Sequence, residues 1–122
     1  MQQSSELFFA SSNNHKFEEV KRILSNQGLT INFSKISLEE IQSDSLSEIA
    51  KRKAIDAFSR IQKPLIIEDD GLFIDSLNGF PGPYSSYVYD TIGNEGLMRL
   101  LEKIESRSAK FVAIIAYCNG ID

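Results

Sequence analysis

Two hydrophobic periods alternate along this chain, and that alternation constrains the fold more than any other feature. Short continuous apolar runs, the size of buried strands, are separated by longer stretches whose apolar residues recur at helical spacing. Leu7-Phe8-Phe9-Ala10 is the first run. Phe17, Val20, Ile23 and Leu24 then share one helix face, and Gly28 stops that helix. Ile31, Phe33 and Ile36 make a weaker second strand. The next helix opens at Ser45-Leu46-Ser47-Glu48, a capping-box pattern in which Ser45 and Glu48 satisfy each other's backbone donors. Its stripe runs through Leu46, Ile49, Ala50, Ala54, Ala57, Phe58 and Ile61. Pro64 introduces a buried strand, Leu65-Ile66-Ile67, which leads into Glu68-Asp69-Asp70-Gly71 and then Leu72-Phe73-Ile74. After the turn signal Asn78-Gly79, Phe80-Pro81-Gly82-Pro83-Tyr84 is expected to be a constrained loop. Leu97, Met98, Leu100, Leu101 and Ile104 predict a third helix, and residues 111–117 a last strand. Strands alternating with helices predict an α/β sheet covered by helices, and 122 residues fit one domain, 1–122.

The bulk properties exclude several classes of function. A net charge of −4 opposes nonspecific nucleic-acid binding, which needs many Lys and Arg against phosphates. The apolar runs fall far short of a membrane span, and the first six residues lack a signal peptide's basic start and apolar core. Cys118 is the only cysteine, so neither an internal disulfide nor a cysteine metal cluster can form; a reduced, cytoplasmic setting is expected. Asn119-Gly120 is a hairpin signal followed only by Ile121 and Asp122, which leads us to expect a chain cut short.

Three places can carry chemistry. Ser11-Ser12-Asn13-Asn14-His15-Lys16 is a polar turn between a strand and a helix. There, free backbone N–H groups, hydroxyl and amide donors and one ammonium favour an anion. The alternative is that Ser12 or Asn13 merely caps the helix. Glu68-Asp69-Asp70 follows a buried strand, and three adjacent carboxylates become tolerable beside a divalent cation such as Mg²⁺. Strand alternation points Glu68 and Asp70 one way and Asp69 the other. A solvated acidic turn is the bland reading. Lys53 lies between Ile49 and Ala57 inside the apolar arc of its helix, where it needs an anion or a path to solvent. Glu39-Glu40, in the loop before that helix, carries no signal alone, and His15 is the only histidine.

The segments Ser11-Ser12-Asn13-Asn14-His15-Lys16 with Glu19, Lys53-Ala54, Ile67-Glu68-Asp69-Asp70-Gly71-Leu72 and Gly79-Phe80-Pro81-Gly82-Pro83-Tyr84-Ser85 occur in an order that resembles the inosine triphosphate pyrophosphatase family, also called Ham1-like. The resemblance runs from Phe8 to Tyr117, and the last of these stretches is highly specific. It implies a twisted mixed β-sheet flanked by helices, and hydrolysis of ITP, dITP or XTP to the monophosphate and pyrophosphate. By position, Ser11, Ser12, Asn13, Asn14, His15 and Lys16 resemble the triphosphate-binding turn. Lys53 resembles a phosphate-facing lysine, Glu40 a magnesium ligand, and Asp69 the catalytic acid acting as general base or metal ligand. Asp70, where many members carry Ser or Thr, resembles a substrate contact. The resemblance further implies Mg²⁺, a purine nucleoside triphosphate substrate and a homodimer.

This chain departs from the family's pattern in two ways. Ser12 stands where the family usually has Gly. The Phe-Gly-Tyr-Asp-Pro-like loop and Ser-His-Arg motif associated with base recognition are absent, as expected of the amino-terminal two-thirds of such a domain with an incomplete C-terminal portion. One alternative is therefore a nucleotide-binding fragment without catalysis. Another, a phospho-receiver domain, would place its acidic pair after the first strand, whereas here it follows a third.

Overall fold

A computed structural model describes residues 6–120. Residues 1–5, together with Ile121 and Asp122 on which the hairpin expectation turned, lie outside the described residues. Of the Asn119-Gly120 pair, only the glycine takes a positive φ.

The alternating periods fold as expected. The first apolar run forms β1 (Phe8–Ser11) and the helix after it α1 (Asn14–Ser25). β2 (Asn32–Lys35), α2 (Leu46–Ile61) and β3 (Leu65–Ile74) follow. A 3₁₀ turn (Asp75–Leu77) leads to β4 (Pro81–Gly82), entered through a cis Phe80–Pro81 bond. α3 (Ser85–Thr91), α4 (Gly93–Leu100) and β5 (Ala109–Cys118) complete the described chain.

Several expectations need correction. The helix read from Leu97 to Ile104 ends at Leu100, and Met98 and Leu100 are about half exposed. The loop expected over residues 80–84 contains the short strand β4. The acidic residues 68–70 do not end a strand; they sit inside the ten-residue β3, which continues to Ile74. The capping box at α2 is only half made: Ser45 Oγ accepts from the Glu48 N–H, but the Ser45 N–H donates to Ser43 Oγ, and Glu48 accepts from the Ser43 hydroxyl instead. Ile23, placed by its period on the inner face of α1, is 54% exposed, because that helix packs through Phe17 and Val20.

The sheet is mixed. β1 pairs parallel with β2 on one side and with Leu65 and Ile66 of β3 on the other. β5 lies antiparallel along the whole opposite edge of β3, from Leu65↔Cys118 to Ile74↔Ala109. β4 returns to the edge that β1 occupies, but only at Leu72 and Phe73. Among the described residues, β3 therefore has no partner on that edge from Ile67 to Gly71. The sheet carries a notch, and the acidic triplet forms its floor.

Three hydrophobic clusters enclose the notch. Leu65 and Ile67 face α2 and pack with Ala10, Ala50, Ala54 and Ala57. Ile66 faces the other way with Phe9, Phe17 and Ile31 under α1. Further along β3, Ile74 packs with Val88, Leu97 and Leu101 beneath α3 and α4. Full burial of side chains such as Phe9, Leu65 and Ile67 contributes about 1.5–3 kcal/mol each. β3 is thus anchored at both ends by apolar burial and left open where it is acidic. Gly71 closes the notch: a Cβ there would stand 2.3 Å from the Gly82 carbonyl oxygen, so only glycine lets β4 approach. Ser85 fixes the same corner, accepting from the Leu72 N–H at 2.8 Å and donating to the Gly82 carbonyl at 2.6 Å.

Candidate active site

The polar turn after β1 is built by its own side chains. Ser11 Oγ accepts from the Asn13 N–H and Asn13 Oδ1 from the Lys16 N–H, both at 3.0 Å. Asn13 is the N-cap of α1, so the capping reading holds. Such a cap contributes about 1 kcal/mol. Yet capping does not exhaust the turn, because Ser11, Ser12, Asn13 and Lys16 all line a cavity of about 660 Å³ that opens over the notch. That volume lies within the usual range for small-molecule sites. Asn14 and His15 are exposed and are not among its lining residues.

From α1, Lys16 reaches the face of β3 that carries Glu68 and Asp70. Its Nζ lies 3.1 Å from Glu68 Oε2 and 3.3 Å from Asp70 Oδ2. Burial pulls the Lys16 pKa down, but the charges and hydrogen bonds of Glu68 and Asp70 outweigh it and leave it raised. Glu68, only 11% exposed, is pushed up to about 7, first by burial and then by Asp70, against the pull of Lys16.

From α2, Lys53 reaches the opposite face. Its ammonium pairs with Glu40 and lies 3.4 Å from Asp69 Oδ2. The contact with Asp69 is an ion pair but not a hydrogen bond: Oδ2 is fully buried and has no hydrogen-bond donor. Burial raises the Asp69 pKa, Lys53 lowers it and Glu40 raises it again, for a net upward shift. The alternation expected along the strand is thus realised, with Glu68 and Asp70 on one lysine and Asp69 on the other.

Lys16 and Lys53 approach from opposite faces of the sheet, an arrangement that normally separates two sites. The notch joins them. Both lysines line the one cavity together with Glu40, Glu68, Asp69 and Asp70. Among the described residues, no group of three or more His, Cys, Asp or Glu side chains is arranged to hold a metal; Glu40 and Asp69 meet only at Lys53. The sequence placed Glu68 beside Asp70 by the strand period but gave it no role of its own; the structure makes it a partner of Lys16. Tyr89, Asn94 and Phe111, which complete the wall with Leu72 and Pro83, were not singled out; they arrive from distant elements and share no local pattern.

The Ham1 family model matches residues 7–122. The dITP/XTP pyrophosphatase of Methanopyrus kandleri is 48% identical over 112 residues, which cover 92% of this chain and 60% of that protein. The protein of the same name from Hyperthermus butylicus is 46% identical over 114 residues, covering 93% and 60%. Among solved structures, a HAM1 protein from Coxiella burnetii superposes with a TM-score of 0.78 at 29% identity, covering 95% of this chain and 64% of that one. The Staphylococcus aureus Ham1 protein gives 0.74 at 28%, covering 93% and 63%. The chain spans about 60% of the length of the curated relatives it matches. With this breadth of match on top of the fold and its notch, the chain belongs to the Ham1 family.

Proposed function

We propose that this chain carries the triphosphate- and metal-handling site of a nucleoside triphosphate pyrophosphatase acting on deaminated purine nucleotides: ITP, dITP and XTP. The observation that carries the reading is the convergence of Lys16, Lys53 and Asp69 on one cavity, since two cations from opposite sheet faces meet there only because the sheet is notched. The relatives named dITP/XTP pyrophosphatase support the substrate class.

In this reading the turn from Ser11 to Lys16 receives the polyphosphate, with Lys16 supplying charge and Ser12 and Asn13 approaching from the helix start. Asn14 and His15 remain peripheral. Asp70 contacts substrate beside Lys16. Lys53 neutralises charge from the other face. Asp69 orients a water for attack on the α-phosphorus and accepts its proton, while the bond to the bridging oxygen breaks and pyrophosphate leaves. Burial raises the Asp69 pKa against the pull of Lys53, the direction that makes a carboxylate a better proton acceptor. Mg²⁺ would draw on Asp69 and Glu40, since this ion commonly takes one or two carboxylates with the remainder from phosphate and water, and it would take the place of the Lys53 ammonium that pairs with both. Glu40 and Asp69 would hold the ion, which when bound supplies charge stabilisation at the phosphate oxygens.

Release of pyrophosphate from dITP and XTP by the 122-residue chain with Mg²⁺ tests the proposal. Turnover supports the enzyme; binding without turnover supports the alternative of a catalytically impaired nucleotide-binding fragment. A homodimer and a cytoplasmic setting belong to the same proposal, the former supported by family resemblance and checked by sedimentation. Among the described residues no helix is long and apolar enough to cross a membrane.

A further inference from the structure

We propose that Arg60 is a positioning residue: through the Ser37 carbonyl it holds the loop that carries Glu40 to the α2 face of the site. The inference rests on the role proposed for Glu40 above, and the experiment below separates the two.

Glu40 sits between β2 and α2, in residues 36–45, which form neither helix nor strand. With no ladder to fix it, this segment lies where its side contacts put it. At its start Ile36 donates to the Ser11 carbonyl, and Ile36 and Leu38 pack against the cluster that contains Ala50, Ala54 and Ala57. At its end Ser43 and Ser45 bond to the first turn of α2. Among the described residues, two hydrogen bonds reach the middle of the loop, residues 37–42, and both come from α2. Arg60 Nη1 donates to the Ser37 carbonyl at 3.1 Å, and the Lys53 ammonium donates to Glu40. The two donors are seven residues apart, close to two turns, so they leave the same side of the helix. Asp56, one turn before Arg60, pairs with its guanidinium at 3.3 Å and orients it.

A ligand acts differently on these two bonds. Lys53 lines the cavity and is shared between Glu40 and Asp69, so a cation that takes its place at these carboxylates breaks its bond to Glu40. Arg60 and Ser37 are not among the cavity's lining residues, and their bond survives when the site fills. It is also charge-assisted, the stronger kind of hydrogen bond. Arg60 thus keeps Glu40 near Asp69 once Lys53 has been displaced. Without it the carboxylate samples more positions, and an ion that binds there has to order the loop again.

The test titrates Mn²⁺ into the 122-residue chain and counts the free ion by electron paramagnetic resonance. Mn²⁺ suits the purpose because carboxylate and water sites take it as they take Mg²⁺. Arg60→Ala should weaken Mn²⁺ binding roughly 10-fold, the low end for residues that orient a ligand without touching the ion. Arg60→Lys, which keeps a cationic donor for the Ser37 carbonyl, should recover most of that loss. The decisive arm is the Glu40→Gln background. There Arg60→Ala should bring no further loss, because the group it positions is gone. Unchanged binding in Arg60→Ala overturns the proposal, and so does an equal loss in both backgrounds, which would make Arg60 a residue of the fold alone. If the wild-type chain and Glu40→Gln bind Mn²⁺ alike, the reading of Glu40 as a metal ligand itself fails and takes the role of Arg60 with it.

Discussion

The two faces of β3 hold the same device built with different parts. On the α1 face, Lys16 bridges Glu68 and Asp70, two residues of one strand. On the α2 face, Lys53 bridges Asp69 with Glu40, a residue from a loop. The first set is held by strand geometry alone, since neighbours two apart must point the same way. The second depends on where the loop before α2 lies, and it leaves Asp69 Oδ2 buried with no hydrogen-bond donor. The difference teaches that strand geometry alone fixes the α1 face, whereas the α2 face depends on a loop and leaves one carboxylate oxygen with only an ion pair. The role proposed for Asp69 rests on that difference in setting rather than on its charge.

The sharpest way to break the comparison is Asp69→Asn. The isosteric change leaves Lys53 paired to Glu40, so the urea midpoint should hold or rise. Pyrophosphate release from dITP should fall by about 10²–10⁴, the range for losing a positioned base. Near-normal turnover would remove Asp69 from the chemistry and make the two faces equivalent.

Lys53→Met removes the cation from the α2 face and strands Asp69 in a buried position. We expect a loss of roughly 3 kcal/mol in chemical denaturation, at the low end for broken buried pairs because Glu40 is half exposed. Recovery in the double variant Lys53→Met/Asp69→Asn would identify the stranded carboxylate as the cause.

On the α1 face the effect is a pH dependence. Folded Glu68 titrates at about 7 against an ordinary 4.5, so between these values the folded chain holds more protons than the unfolded one. The contribution of Glu68 to stability is therefore complete below pH 4.5 and is lost as pH rises through about 7. Urea denaturation in EDTA at pH 4.5 and pH 8 should show a decline that Glu68→Gln reduces, by roughly 2 kcal/mol. An unchanged pH profile would place Glu68 in a more open site than the structure gives it.

The smallest effects concern the caps of the two lysine-bearing helices. Asn13→Ala and Ser45→Ala should each cost about 1 kcal/mol by thermal melting. Only Asn13→Ala should also weaken tripolyphosphate binding, because Asn13 both holds the Lys16 backbone and lines the cavity. Equal binding losses in the two variants would mean that the turn contributes through helix stability alone.

Much of this arrangement was legible in the chain. The inward lysine could be read from helical phase, because Ile49, Lys53 and Ala57 recur at one face and α2 buries that face. The division of the acidic triplet between two sides followed from the strand period. What stayed hidden depends on pairing between distant segments. The notch exists because β1 leaves β3 after Ile66 and β4 joins only at Leu72, a fact of register with no local signature. Asp and Glu disfavour strands, which made residues 68–70 look like a strand end; full pairing with β5 overrides that preference. α3 was missed for a related reason. Its N-cap, Tyr84, makes no side-chain cap bond, and it buries only Val88, so neither the start signal nor the apolar stripe that marks a helix is present.

A double-mutant cycle on Lys16 and Lys53, read as the affinity for magnesium tripolyphosphate, tests the central claim most directly. If both cations grip one ligand across the notch, Lys16→Met and Lys53→Met should each weaken binding and should couple by about 0.5–3 kcal/mol. Strict additivity, or a neutral result for either lysine alone, would mean that the two faces of β3 serve separate sites and that the shared cavity is not where the phosphates bind.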